Sequence, residues 1–190
     1  MNFLKRRSAR PSHNAQAVVT GAGSGIGRSF ALELARRHGA VVCADVNLEA
    51  ARETVALIEQ AGARGYAVAC DVGDAEAVRQ LAEQAEALLG HPVTLVINNA
   101  GVGLGGKFDE LSLDDWQWCM HVNLWGVIHG CHYFVPGFKR QGRGAIINVA
   151  SAASYTAAPE MSAYNVTKAG VRALSETLFA ELKKDNIRVN

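Results

Sequence analysis

Short apolar runs alternate with longer amphipathic segments along most of the chain, and this alternation restricts the folds that the chain can adopt. The first run, residues 16–20, ends in a cluster of glycines, and residues 25–38 then show helical spacing up to Gly39. Apolar runs of this length predict buried strands, and a glycine after an amphipathic segment predicts the end of a helix. Repetition of this unit predicts an α/β fold, a doubly wound parallel sheet with helices on both faces.

The same reasoning places the other elements. It predicts strands at 41–44, 66–70, 93–97 and 145–149 and helices at 48–61, 74–89, 113–140 and 162–185, with Asp74 and Gly90 at the two ends of one helix. Residues 187–190 are typical of the start of a sixth strand. Because the 190 residues contain no internal repeat, we predict a single domain over residues 15–190, preceded by a flexible basic leader, residues 1–14.

Charge and hydropathy exclude several classes of function. The formal net charge is +1, so the chain has no strongly basic face for nucleic acid. No apolar stretch approaches the roughly 18 residues that cross a bilayer. The four cysteines form no C-x-x-C pair, which favours a reducing, cytoplasmic location. No signal-peptide core follows the basic leader, which we interpret as solvated; a weak contact with a membrane surface or an acidic partner is the alternative.

A glycine-rich turn, residues 20–27, joins the first strand to the first helix. Glycines permit a tight turn and let backbone N–H groups approach a pyrophosphate, and the helix N-terminus adds partial positive charge. We therefore predict a dinucleotide site here, formed by Gly21, Ser24, Gly25, Ile26 and Gly27. The phosphate loop of an NTPase is the alternative, but the turn lacks the first glycine and the lysine of that motif.

Acidic residues follow the second and third predicted strands. Asp45 ends the second strand, where a carboxylate accepts hydrogen bonds from the ribose of an adenosine and repels a 2′-phosphate. No Lys or Arg follows closely, so we predict NAD rather than NADP as the cofactor. Asp71 and Val72 follow the third strand and are assigned to the adenine end of the site. A solvated aspartate at position 45 and a turn cap at position 71 remain the alternatives.

A second group of polar residues lies in the carboxyl-terminal half. Tyr164 and Lys168 are four residues apart in a predicted helix and therefore share one face. Ser151 follows the fifth strand, at the sheet edge where open α/β folds bind ligands. A free tyrosine titrates near pH 10, so a tyrosine that acts as a base near neutral pH needs a cation beside it. Alone, the pair could equally be an ordinary surface contact.

Taken together, four motifs resemble those of the short-chain dehydrogenase/reductase family, whose fold is Rossmann-like. Residues 20–27 resemble its T-G-x-x-x-G-x-G turn, residues 98–101 its N-N-A-G segment, and residues 164–168 its Y-x-x-x-K motif, with Ser151 thirteen residues before the tyrosine. Asn123 falls where the family has an active-site asparagine. The resemblance implies that Asn99, Ala100, Gly101, Tyr164 and Lys168 contact the cofactor. Asn99 also has a structural alternative, in which it ties neighbouring backbone segments together.

The resemblance implies roles for the four predicted catalytic residues, Asn123, Ser151, Tyr164 and Lys168. Tyr164 would be the general acid/base, and Lys168 would stabilise its phenolate and bind the nicotinamide ribose. Ser151 would donate a hydrogen bond to the substrate oxygen. Asn123 would hold a water in a proton relay from Lys168. No metal is expected, because His129 and His132 have no acids that converge with them.

The function implied is NAD-dependent oxidation of a secondary alcohol, or the reverse reduction. Small apolar residues near the predicted site favour an apolar alcohol or ketone. The predicted helices at 113–140 and 162–185 resemble those that build the family's dimer, so a homodimer or homotetramer is expected. The alternatives are a non-catalytic dinucleotide-binding or regulatory protein and an NAD-using epimerase or dehydratase. Family members continue beyond the sixth strand with a substrate lid and a seventh strand, so we expect these 190 residues to be part of a longer chain.

Overall fold

A computed structural model describes residues 10–190, and most of the predicted basic leader lies outside the described residues. The strands are β1 (Gln16–Thr20), β2 (Ala40–Asp45), β3 (Arg64–Ala69), β4 (Leu95–Asn98), β5 (Gly144–Asn148) and β6 (Ile187–Val189). They form one parallel sheet in the order β3-β2-β1-β4-β5-β6. The order reverses between β1 and β4, and such a switch point opens a crevice at the carboxyl ends of the strands.

Helices cover both faces of this sheet. They are α1 (Gly25–Arg36), α2 (Leu48–Gln60), α3 (Ala75–Leu89), α4 (Leu113–Met120), α5 (Gly126–Gln141) and α6 (Ser162–Leu182). Val18, Val42 and Val96 face one core with α3, α5 and α6. The residues directly before and after each of these valines point to the opposite side of the sheet and face a second core, formed with α1 and α2. This alternation of buried side chains confirms the predicted α/β fold with helices on both faces.

Two local features differ from the prediction. Gly39 was expected to end the first helix, but the left-handed residue there is His38, with φ of 63°. Gly39 instead leaves room for close backbone packing, because a Cβ on it would lie 2.9 Å from the carbonyl oxygen of Leu34. The helix predicted over 113–140 is also not continuous, since one π-helical turn, His121–Trp125, separates α4 from α5. Hydrophobic periodicity does not reveal such a widened turn.

Two further properties of the described residues concern the length of the helices and the state of the cysteines. None of the helices in residues 10–190 is long and apolar enough to cross a membrane. All four cysteines are free and buried. Burial raises the pKa of Cys43 and Cys70 to about 12 and that of Cys131 to about 11, so these residues are packed as thiols.

Candidate active site

The glycine turn between β1 and α1 is closely packed against the backbone around it. Gly21 has φ of 64°, and a Cβ on it would lie 2.8 Å from the Cα of Ala100. A Cβ on Gly27 would lie only 2.0 Å from the carbonyl oxygen of Gly21. Ser24 is the N-cap residue of α1, and its side chain makes no capping hydrogen bond. The first turn of α1 therefore presents backbone N–H groups that an anion can bind.

The segment after β4 is tied to this turn. The side-chain amide of Asn99 donates to the carbonyl oxygen of Thr20 at 2.9 Å, and the backbone N–H groups of Asn99 and Ala100 both donate to Oγ1 of Thr20. Asn99 thus has the structural role that the sequence left open as an alternative. Because these bonds join the carboxyl ends of β1 and β4, they fix the crevice at the switch point of the sheet.

Asp45 holds the outer side of the glycine turn. One carboxylate oxygen accepts from the backbone N–H of Gly23 at 2.8 Å, and the other accepts from that of Asn47 at 2.9 Å. A carboxylate offers about four acceptor sites, so these two bonds leave capacity for a ligand. Arg28 is the cation beside the turn, and its guanidinium is held by Oγ1 of Thr54 and the carboxylate of Glu53, each at 2.9 Å.

The position of Asp71 is compatible with both roles that the sequence allowed. Its carboxylate accepts from the backbone N–H of Gly73 at 2.9 Å, which caps the turn after β3. The same turn, residues 71–74, also lines a large cavity at the carboxyl edge of the sheet, which is described next. Capping the turn and facing a ligand are therefore compatible at this position.

One open cavity of about 1260 Å³ runs across the carboxyl ends of the strands. It exceeds the roughly 300–1000 Å³ of a typical small-molecule site, so it has room for a dinucleotide and a small substrate. Every predicted cofactor-binding residue lines it, as do three of the four predicted catalytic residues: Gly21, Ser24, Gly25, Ile26, Gly27, Asp45, Asp71, Val72, Asn99, Ala100, Gly101, Ser151, Tyr164 and Lys168. The fourth predicted catalytic residue, Asn123, is buried behind the wall.

The cavity wall includes residues that the sequence analysis did not assign to the site. Trp118, His121 and Val122 line it on the helical side, and Val46 and Met161 line it elsewhere. Trp118 is 48% exposed, although it is a large apolar side chain. Trp118, His121 and Val122 occupy positions i, i+3 and i+4, the spacing of one helical face. This spacing is the signal in the sequence that could have identified them.

Tyr164 and Lys168 lie on one face of α6, as predicted, and both border the cavity. Nζ of Lys168 lies 5.8 Å from the centroid of the Tyr164 ring and donates to the carbonyl oxygen of Val149 at 2.8 Å. Lys168 is only 4% exposed, and burial lowers the pKa of its ammonium group. Oγ of Ser151 accepts from the backbone N–H of Ala153, which leaves its own O–H as a donor.

Replacement of the buried lysine, Lys168→Met, is expected to stabilise the fold at pH 7. The folded chain binds the lysine proton less tightly than the unfolded chain does, since burial lowers the pKa of Lys168 below 10.5. Wild-type stability therefore rises as pH increases from the folded-state pKa toward 10.5, and the variant lacks this dependence. We expect the Tm of the variant to exceed that of the wild type at pH 7, with the difference closing toward pH 10.5.

The matched control is Lys183→Met, which removes an exposed lysine just after α6. Thermal unfolding of the three proteins between pH 7 and pH 10 checks the prediction. A Lys168→Met variant that is less stable than the wild type at pH 7 would show that the bond to Val149 outweighs the cost of burying the charge.

Asn123 lies in the π-helical turn and is completely buried. Its amide oxygen accepts from the backbone N–H of Val102 at 2.7 Å, and its amide nitrogen donates to the Val102 carbonyl at 2.9 Å. Nδ2 also lies 3.4 Å from Oγ1 of Thr167, which in turn donates to the carbonyl oxygen of Tyr164. Asn123 thus connects the loop after β4 to α6. The water relay that the resemblance implied stays a prediction.

The described residues contain no cluster of side chains that could hold a metal ion. His129 and His132 both lie on α5 and make separate contacts. Nδ1 of His129 is 2.9 Å from the carbonyl oxygen of Val72, whereas the ring of His132 packs edge-on against Tyr133.

The sheet order, the glycine turn at its switch point and the cavity across its carboxyl edge define a Rossmann-like α/β protein. The family model for short chain dehydrogenases matches residues 15–190, and the chain belongs to this family. The resemblance seen in the sequence motifs is therefore confirmed.

Known relatives extend this comparison. The probable oxidoreductase EphD of Mycobacterium tuberculosis is 41% identical over 165 residues, which are 86% of this chain and 28% of that protein. The cyclohexanol dehydrogenase of Acinetobacter sp. strain SE19 is 37% identical over 179 residues, 94% of this chain and 71% of that enzyme. The chain thus spans less than a third of the length of EphD.

Among solved structures, a short chain dehydrogenase/reductase from Burkholderia phymatum in complex with NAD has the same fold. The TM-score is 0.90 at 39% sequence identity, and the match covers 94% of this chain and 64% of that one.

Proposed function

We propose that this chain is an NAD-dependent oxidoreductase that transfers hydride between the nicotinamide and a secondary alcohol or its ketone. The observation that carries the proposal is that Ser151, Tyr164 and Lys168 border the same cavity as the glycine turn. A protein that only bound a dinucleotide would not need a tyrosine, a buried lysine and a serine hydroxyl at the far end of the site.

The donors and acceptors around the cavity fit a dinucleotide. The N-terminus of α1 would bind the pyrophosphate. Because Gly27 has no side chain, the backbone of the glycine turn packs directly against this helix N-terminus. Asp45 would accept from the adenosine ribose, and the turn at residues 71–74 would border the adenine. Lys168 would bind the nicotinamide ribose. When bound, NAD supplies the hydride acceptor.

The chain's own groups would handle the proton. The phenolate oxygen of Tyr164 accepts the hydroxyl proton of the alcohol while the C–H electron pair leaves as hydride, and in the reverse direction the phenol returns that proton to the oxygen. The ammonium group of Lys168 favours the phenolate electrostatically. Ser151 donates to the substrate oxygen and stabilises its developing charge. Asn123 acts as a positioning residue, since its side chain connects the loop after β4 to the helix that carries Tyr164.

The choice of NAD over NADP is proposed to depend on the charge of Asp45. The variant Asp45→Asn keeps one acceptor oxygen for the glycine turn but no longer repels a 2′-phosphate. We expect the ratio of kcat/KM for NAD to that for NADP to fall by at least about tenfold. Asp71→Asn is the matched control and is expected to leave the ratio unchanged. An Asp45→Asn variant with the wild-type ratio would contradict this role.

An apolar alcohol is proposed as substrate, and cyclohexanol is a suitable first probe because a relative is a cyclohexanol dehydrogenase. The cavity is also lined by Val102, Gly103 and Met161, whose side chains carry no polar hydrogen-bonding group.

We also propose a homo-oligomer, supported by large exposed side chains on the helices: Trp125 is 46%, Val166 50% and Phe179 55% exposed. The four free, buried thiols support a reducing compartment.

The test is NADH formation from NAD and a panel of cyclic and linear secondary alcohols, together with a titration of NADH binding. Binding with turnover supports the proposal. Binding without turnover on any alcohol would favour the non-catalytic alternative, and the absence of binding would exclude both.

A further inference from the structure

The turn after β3, residues 71–74, is anchored on α5 by two contacts to Val72. A Cβ on Gly126 would lie 2.7 Å from Cγ2 of Val72, so the valine side chain sits against the helix where that side chain is missing. Three residues further along, Nδ1 of His129 lies 2.9 Å from the carbonyl oxygen of Val72. Residues at this spacing lie on one face of a helix. The side chain and the backbone of Val72 therefore meet the same helix face.

The contact of His129 has a defined direction. A carbonyl oxygen only accepts hydrogen bonds, so Nδ1 carries the proton and donates it. The imidazole also packs against the ring of Trp125, with centroids 5.7 Å apart. Because Val72 is only 6% exposed, water has little access with which to replace the imidazole as donor.

The turn itself is held in shape by internal hydrogen bonds. The carboxylate of Asp71 accepts from the N–H of Gly73 at 2.9 Å, and the backbone N–H of Asp74 donates to the carbonyl oxygen of Asp71 at 3.1 Å. These bonds set its shape but do not attach it to the rest of the fold. On the strand side it is attached through the N–H of Cys70, which donates to the carbonyl oxygen of Asp45. On the helix side it is attached to α5 through the side chain of Val72 and through His129, and its last residue, Asp74, is the N-cap of α3.

We infer that His129 is a positioning residue for the adenine end of the cofactor site. It does not border the cavity, but it holds the turn that does. This inference rests on the proposed function. Without the donor, the turn can move away from α5, and a cofactor must restore its position on binding. The proposed catalytic residues Ser151, Tyr164 and Lys168 follow β5 or lie on α6, on the other side of the sheet from β3. The rate of the chemical step is therefore expected not to change.

The experiment compares four variants of the whole chain, His129→Leu, His129→Asn, His129→Gln and His132→Leu. An Asn side chain places its amide nitrogen near the position of Nδ1, whereas Gln places it one bond further out. His132 is an exposed histidine on the same helix and serves as the matched control. The readouts are the Kd of NADH, competition by AMP, kcat at saturating NAD and the Tm of each variant.

We expect His129→Leu to raise the Kd of NADH about fivefold, which corresponds to about 1 kcal/mol. AMP binding falls by the same factor, and kcat stays within about twofold of the wild type. His129→Asn binds NADH like the wild type, His129→Gln resembles His129→Leu, and His132→Leu has no effect. If His129→Leu fails to fold, the Asn and Gln variants decide the question.

An unchanged Kd in His129→Leu, or equal recovery by Asn and Gln, would overturn the inference. A fall in kcat with an unchanged Kd would overturn it as well, because the effect would then lie at the catalytic end. Failure of the proposed function is distinguishable from these outcomes, since it appears in the wild type. If the wild type binds NADH without turnover, the Kd of NADH and the competition by AMP still decide the inference; if the wild type does not bind NADH, the inference is overturned as well.

Discussion

Tyr164→Phe is expected to lower kcat by at least about a thousandfold while the Kd of NADH stays within about twofold of the wild type. The substitution removes one oxygen and keeps the ring that packs beside Lys168. Only the group that we propose to exchange a proton with the substrate is lost. Steady-state kinetics and a fluorescence titration with NADH measure the two effects separately.

The matched control for this variant is Tyr155→Phe. Tyr155 is 75% exposed, and its ring packs over the guanidinium of Arg172 at 4.6 Å, a contact that phenylalanine retains. Its kcat is expected to equal that of the wild type. Turnover that survived in Tyr164→Phe would reject the assignment of Tyr164 as the general acid/base.

Gly27→Ala is expected to weaken NADH binding by at least about a hundredfold, or about 2.7 kcal/mol. The new methyl group would lie 2.0 Å from the carbonyl oxygen of Gly21, so the glycine turn must move away from its present position. Alanine is the better helix former by about 1 kcal/mol, so a loss of binding cannot come from helix propensity. Calorimetric titration with NADH measures the change.

Gly62→Ala separates the packing effect from a general cost of replacing glycine. Gly62 has φ of 77° with open space around it, at the end of α2. Alanine there is strained by about 1 kcal/mol, which lowers Tm but not NADH affinity. Wild-type NADH affinity in Gly27→Ala would contradict the role proposed for the turn.

Much of the fold followed from the order of residues because the signals are local. Runs such as residues 16–20 and 145–149 are apolar and short, and the structure has strands there. The carboxyl ends of parallel strands meet at one edge, so residues as distant in sequence as Asp45 and Ser151 were expected to border one cavity, and they do.

Features that depend on tertiary packing did not follow from the sequence. The π-helical turn at Asn123 shifts the helix register by a change of backbone hydrogen bonding, which leaves no mark in hydrophobic spacing. The bond of His129 to Val72 joins residues 57 positions apart, so it appears only in the folded chain. The same holds for Arg28, whose partner Glu53 lies on a different helix.

The most direct test of the central claim is a single-turnover experiment with the chain in excess over NAD and a saturating secondary alcohol. The account predicts that NADH forms up to the amount of NAD supplied with the wild type and does not form with Tyr164→Phe, although both proteins bind NADH. Absence of NADH formation by a wild-type chain that binds NADH, across the whole panel of secondary alcohols, would contradict it.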